Sequence, residues 1–178
     1  MMKKYCSILA FFTSGFLSFA PSFVLAQPSE MMPMQQGKII PVENKEYIDY
    51  LNHFDHQQYR IDAEQFFEKI QDPGWLILDL RTKEAYDRGH IKGAKHLGSD
   101  IDIKILFNIE PNKQRHILLY CSNSLYPTRM LSLTDMSLPQ MHALGYRSTY
   151  KAGSLYQAEQ GGMIDVIEKL REMEMWVM

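Results

Sequence analysis

Cys121 is the residue whose type and position offer the clearest chemistry. It follows His116-Ile117-Leu118-Leu119-Tyr120, a run apolar enough for a strand covered on both faces. It precedes Ser122-Asn123-Ser124-Leu125-Tyr126, where small polar residues suit a sharp turn. In open α/β sheets, ligands bind beyond the carboxyl ends of the strands. A loop leaving such a strand for a helix aims backbone N–H groups inward and makes a cradle for an anion. A thiolate is an anion, and the same cradle would hold a persulfide or an oxyanion beside it.

The chain has two cysteines in 178 residues, too few for a disulfide scaffold. They are not expected in the same mature protein. Residues 1–26 read as a secretory signal: Lys3 and Lys4, an apolar stretch from about Ile8 to Phe19, and Val24-Leu25-Ala26 before a cut at Gln27. The stretch is short for a membrane span, which needs about 20 apolar residues. Cys6 lies before the apolar stretch, which argues against a lipid anchor. Removing these 26 residues and their two lysines from 178 residues of net charge −2 leaves 152 of net charge −4. The expected mature protein is periplasmic or secreted, off the membrane, with Cys121 as its one cysteine. Such a thiol is buried and inert, paired with another molecule, or kept because it reacts.

Composition places the rest. With 46% hydrophobic, 22% charged and 12% aromatic residues, the chain is too apolar for disorder and too polar for a multi-span membrane protein. Its charge gives no electrostatic case for nucleic acid. Nothing in it sets an oligomeric state. Residues 27–43 form a Pro-, Gln- and Met-rich flexible leader. Met31, Met32 and Met34 are soft donors, but no Cys or His accompanies them. His53 and His56 lack a third ligand nearby, so neither a metal nor another cofactor is expected.

The elements that must position Cys121 alternate. Residues 44–58 form an N-terminal helical extension, with its helix over 44–53. Asp62 caps a helix running to about Gln71, with Ala63, Phe66, Phe67 and Ile70 as its stripe. A buried strand spans Trp75–Leu80, a short helix Lys83–Arg88 stops at Gly89, and Ala94–Leu97 is a short strand. A helical segment covers 101–109, and the strand ending at Tyr120 follows. A helix ends at Gly145, a strand lies near Ser148–Lys151, and a last helix starts at about Met163. Met173, Met175 and Met178 read as core edge and fraying. Alternating strands and helices predict an α/β domain, residues 59–178, with a central parallel sheet of about five strands and helices on both faces.

Leu78-Asp79-Leu80-Arg81, followed by Glu84-Ala85-Tyr86-Asp87-Arg88-Gly89-His90-Ile91-Lys92-Gly93-Ala94, resembles the rhodanese (sulfurtransferase) domain family. There this stretch has the form D-x-R…E-[YF]-x-x-G-H-I-x-G-A. Leu119-Tyr120-Cys121 and Leu144-Gly145-Tyr146 resemble the family's active-site strand and the end of its next helix, so the resemblance covers about residues 59–162. It implies that Cys121 takes a sulfane sulfur as a persulfide from thiosulfate or a persulfide donor. A thiol, a protein or another thiophilic acceptor then receives it. It implies that the amides of Ser122, Asn123, Ser124, Leu125 and Tyr126 hold the persulfide, and that Asp79 and Arg81 buttress the loop. Gly89, His90 and Gly93 would shape a turn.

The spacing departs from the family. Cys121 to Gly145 is 24 residues, longer than usual, and the added residues include Pro127, Thr128 and Arg129. Two arrangements stay open: Thr128 caps an early helix that kinks near Pro139, or the loop is long and the helix begins at Ser137, with Gln140 completing a capping box. The second leaves Arg129 free to reach over the site and bind a dianion. Seven residues separate Cys121 from Arg129, where phosphatase relatives of the fold need five. Two rivals to sulfur transfer remain: a non-catalytic rhodanese-like binding module, and a thiol-redox partner in the periplasm.

Overall fold

A computed structural model describes residues 45–128, 132–157 and 162–178. The signal, the leader and Arg129 lie outside the described residues. The elements in chain order are α1 (Lys45–His53), β1 (Arg60–Ile61), α2 (Ala63–Lys69), β2 (Trp75–Asp79), α3 (Lys83–Arg88), β3 (His90–Ile91), β4 (Lys95–His96), α4 (Ile103–Ile109), β5 (His116–Tyr120), α5 (Ser122–Leu125), α6 (Leu133–Ala143), β6 (Thr149–Ala152), α7 (Val166–Glu172) and β7 (Trp176–Val177).

Five strands form one parallel sheet in the order β1-β6-β5-β2-β4. The longest central strands, β2 and β5, pair over their whole length from Trp75↔His116 to Asp79↔Tyr120. Alternation along each strand sends side chains to opposite faces, and each face has its own core. Ile77, Leu118, Tyr120 and Ala152 pack with α2 and α7. Leu78, Leu80, Ile117, Leu119 and Cys121 pack with α4 and α6. The expected α/β architecture with helices on both faces is therefore the observed one. Among the described residues no helix is long and apolar enough to cross a membrane.

Local chemistry starts the helices where short polar side chains can cap them. Asp62 Oδ1 accepts from the Gln65 N–H (2.8 Å), Thr82 Oγ1 from the Ala85 N–H (3.3 Å) and Asp165 Oδ1 from the Glu168 N–H (3.0 Å). The last of these starts α7 at Val166, three residues after the expected Met163, because Met163 is taken up in a bridge to Gln157.

The connection after Cys121 follows neither sequence arrangement. A one-turn helix, α5, begins directly after the cysteine, and α6 begins at Leu133. Ser137 is therefore inside α6 and buried. The Ser132 carbonyl accepts from the Asp135 and Met136 N–H groups (3.1 and 3.3 Å) and starts the helix one turn early. Pro139 falls at the seventh position of α6, beyond the first turn where proline is free of cost. Burial of Thr134, Ser137, Leu138, Met141 and His142 keeps the helix going through it. Gly145, at φ +94°, ends it as expected.

At the C-terminus Met173 and Met175 pack at the edge of the α2/α7 core, as expected, and Met178 is exposed. After α7 the chain turns back, and Trp176–Val177 pair antiparallel with His90–Ile91. A two-residue strand has no periodicity to read, and its partner lies far away in sequence.

Candidate active site

Cys121 stands where β5 ends and α5 begins, at the carboxyl edge of the parallel sheet. Its backbone is still extended (φ −147°, ψ −172°). Its side chain is fully buried in the α4/α6 core, in the cluster that holds Leu80, Leu97 and Leu138.

The turn behind it is held by Ser124. The Ser124 Oγ accepts from the Cys121 N–H (3.3 Å) and donates to the Ala152 carbonyl at the end of β6 (3.4 Å). The Ser124 carbonyl accepts from the Leu155 N–H (2.9 Å). One serine thus ties the cysteine's backbone to the neighbouring strand. Ser124 and Leu125 are buried, Ser122 and Asn123 are half-buried, and Tyr126 is exposed. The Ser124 N–H donates to the Cys121 carbonyl (3.0 Å) and the Tyr126 N–H to the Ser122 carbonyl (2.9 Å). The Ser124 N–H also faces the Cys121 side chain in a capping-box arrangement, and the Tyr126 N–H closes the turn.

Asp79 and Arg81 lie close to Cys121 in the fold but address its neighbour. Arg81 Nε donates to both Asp79 oxygens (3.0 Å each) and Nη2 to Asp79 Oδ2 (2.6 Å), in a buried ion pair. Nη2 also donates to the Gly89 carbonyl (2.7 Å), which fixes the end of α3. The Tyr120 hydroxyl donates to Asp79 Oδ2 (2.6 Å) and accepts from the Ile91 N–H (3.3 Å). The guanidinium lies 5.5 Å from the Tyr120 ring and 5.6 Å from the Trp176 ring. Burial and then the Asp79 charge push the Tyr120 phenol far above its ordinary range. Burial works against the Arg81 charge, but Asp79 outweighs it and holds the guanidinium above its usual range.

This network packs on the α2/α7 face, with Tyr120, while Cys121 packs on the other. Asp79 and Arg81 therefore hold the end of β5 at Tyr120 and the α3 turn at Gly89. His90 belongs to the same turn: its ring stacks on Tyr86 (3.7 Å) and Nδ1 donates to the Tyr86 carbonyl (2.9 Å). His53 bonds to the Asp49 carbonyl within α1, and His56 turns away to Asp135 of α6, 3.7 Å off.

Sequence reading missed Lys151 and Asp135, which form an ion pair joining β6 to α6. The signal was present: a lysine inside the buried segment Thr149–Ala152 is out of place unless paired.

The chain matches the family model described as the rhodanese-like domain over residues 62–150. Among solved structures, it is similar to the rhodanese-like domain of the Alr3790 protein from Anabaena sp. at 21% identity, covering 62% of this chain and 81% of that one with a TM-score of 0.45. The BH2092 protein from Bacillus halodurans is 21% identical over 74% of this chain and 82% of that one, with a TM-score of 0.47. Protein hp1203 from Helicobacter pylori is 23% identical over 62% and 90%, with a TM-score of 0.41. The model match takes in β2, Arg81, the α3 turn, Cys121 and α6, and the chain belongs to the rhodanese-like domain family.

Proposed function

We propose that the protein is an exported sulfurtransferase that carries sulfane sulfur on Cys121. The observation that carries this reading is the place of the cysteine, at the junction of β5 and α5 on the carboxyl edge of the sheet, in a chain of this family. In the first half-reaction the Cys121 thiolate attacks the outer sulfur of thiosulfate. The sulfur–sulfur bond of the donor breaks, sulfite leaves with the electron pair, and a persulfide remains. In the second half-reaction a thiophilic acceptor such as cyanide or a thiolate attacks the terminal sulfur, and Cys121 leaves as thiolate. No metal, cofactor or net redox step is needed. Export rests on the signal-like residues 1–26 and is tested by sequencing the N-terminus of the protein recovered from the periplasm.

The deciding assay is thiosulfate:cyanide sulfurtransfer by the mature protein, with Cys121→Ser as control, alongside intact-mass detection of one added sulfur after thiosulfate treatment. Turnover and a persulfide lost in the serine variant are expected. Turnover that survives the substitution removes Cys121 from the mechanism.

Burial of Cys121 within an apolar cluster favours a second reading, a rhodanese-like binding module without turnover. That reading requires that no persulfide form under the same conditions.

A further inference from the structure

Lys151 is a buried cation in an apolar sheet, 7% exposed. It pairs in register with Leu119 of β5. Side chains two apart on a strand share a face, so Leu119 and Cys121 point the same way. Lys151 shares that face. Tyr150 and Ala152 on either side of it pack with the α2/α7 core, while its ammonium reaches the Asp135 carboxylate of α6, the helix that covers Cys121. Strand spacing and rise put Lys151 and Cys121 about 8 Å apart at the backbone. His56 Nδ1 approaches the same Asp135 oxygen at 3.7 Å and makes no hydrogen bond among the described residues.

A hydrophobic side chain would fill this position without the desolvation that a buried lysine incurs. The pair is also lopsided, for the Lys151 side chain is 9% exposed and that of Asp135 44%. Water screens the carboxylate far more than the ammonium, so the interior face of the sheet carries net positive potential.

We propose that Lys151, held in place by Asp135, is a positioning residue that favours anionic over neutral reagents at Cys121. The identity of the natural anion, thiosulfate, rests on the sulfur-transfer reading, but the charge preference needs no turnover.

The test is the ratio of Cys121 alkylation rates with iodoacetate, an anion, and iodoacetamide, its neutral counterpart of similar size. It is measured on the folded mature protein. Lys151→Met is expected to lower the iodoacetate-to-iodoacetamide ratio about tenfold, and Lys151→Arg to restore it. Asp135→Asn, which frees the ammonium, is expected to raise the ratio about threefold, and it serves if Lys151→Met does not fold. A purely structural lysine would alter both rates alike. An unchanged ratio in a folded Lys151→Met protein overturns the proposal, as does an unchanged ratio in Asp135→Asn or a native Cys121 that neither reagent labels. If the ratio shifts as expected while thiosulfate leaves no persulfide, sulfur transfer fails and the role of Lys151 stands.

Discussion

Tyr120 and Cys121 are chain neighbours that serve opposite faces of the sheet. The Tyr120 hydroxyl donates to Asp79 Oδ2 at 2.6 Å among the α2/α7 residues, and the Cys121 thiol is buried against α4 and α6. The hydrogen-bonded network that fixes the end of β5 is therefore insulated from the thiol by the sheet itself. The support sets where the cysteine's backbone stands, and the groups on its own face set what approaches it.

That division makes the support a matter of stability. Asp79 is the one carboxylate that Arg81 and Tyr120 share, and all three are buried. Asp79→Asn leaves a buried guanidinium without its counter-charge, which costs about 3–5 kcal/mol. Tyr120→Phe removes one hydrogen bond to a charged acceptor and costs about 2 kcal/mol. Urea unfolding should rank the two in that order. A Tyr120→Phe protein less stable than Asp79→Asn would show that the phenol, not the carboxylate, anchors the network.

The β3–β7 pairing brings Trp176 against Gly89. A Cβ built at Gly89 would lie 2.7 Å from Trp176 Nε1. Gly89→Ala should therefore cost about 2 kcal/mol through overpacking. In a Trp176→Ala background the same change should cost less, giving a coupling of about 1 kcal/mol or more in a double-mutant cycle. Additive effects would mean the indole does not press on the α3 turn.

What could be read in advance followed the range of each signal. The parallel sheet was legible because β2 and β5 are continuous apolar runs, and the Asp62 cap was legible because it acts within three residues. The α6 start was not, because Ser137 presents a capping pattern locally while burial of Thr134 and a carbonyl at Ser132 decide the matter. The reach of Ser124 to Ala152 and of Lys151 to Asp135 depends on which strands become neighbours. No spacing in the chain announces that.

His142 makes stability depend on pH. It lies between Phe54 and Tyr59 (ring centroids 5.1 and 4.3 Å), and its Nε2 donates to the Thr149 carbonyl (2.9 Å), so the neutral ring carries its proton there. Burial pushes its pKa below the ordinary imidazole value, the Thr149 carbonyl partly opposes the shift and the Arg147 charge adds to it. The unfolded chain then binds a proton at a higher pH than the folded one, and stability falls as pH drops below about 6.5. His142→Gln, which keeps a donor for Thr149, should lose less stability than the native protein between about pH 7.5 and about pH 5.5. Equal losses in the two proteins would clear His142 of the effect.

Ser124 is where stability and chemistry should separate. Its hydroxyl is shared between the Cys121 N–H and the Ala152 carbonyl, at 3.3 and 3.4 Å, and its carbonyl is held by Leu155. Ser124→Ala leaves the backbone bond to Leu155 in place and removes the hydroxyl's two. Both bonds are long, so the loss of stability should be about 1–2 kcal/mol. The larger consequence falls on the cysteine, whose backbone loses its one side-chain tether to β6. If Cys121 carries sulfur, the variant should keep its KM for thiosulfate and lose about tenfold in kcat, the signature of lost geometry rather than lost binding. Steady-state kinetics on the folded variant decides the point. An unchanged kcat beside the stability loss would make Ser124 a structural clamp only.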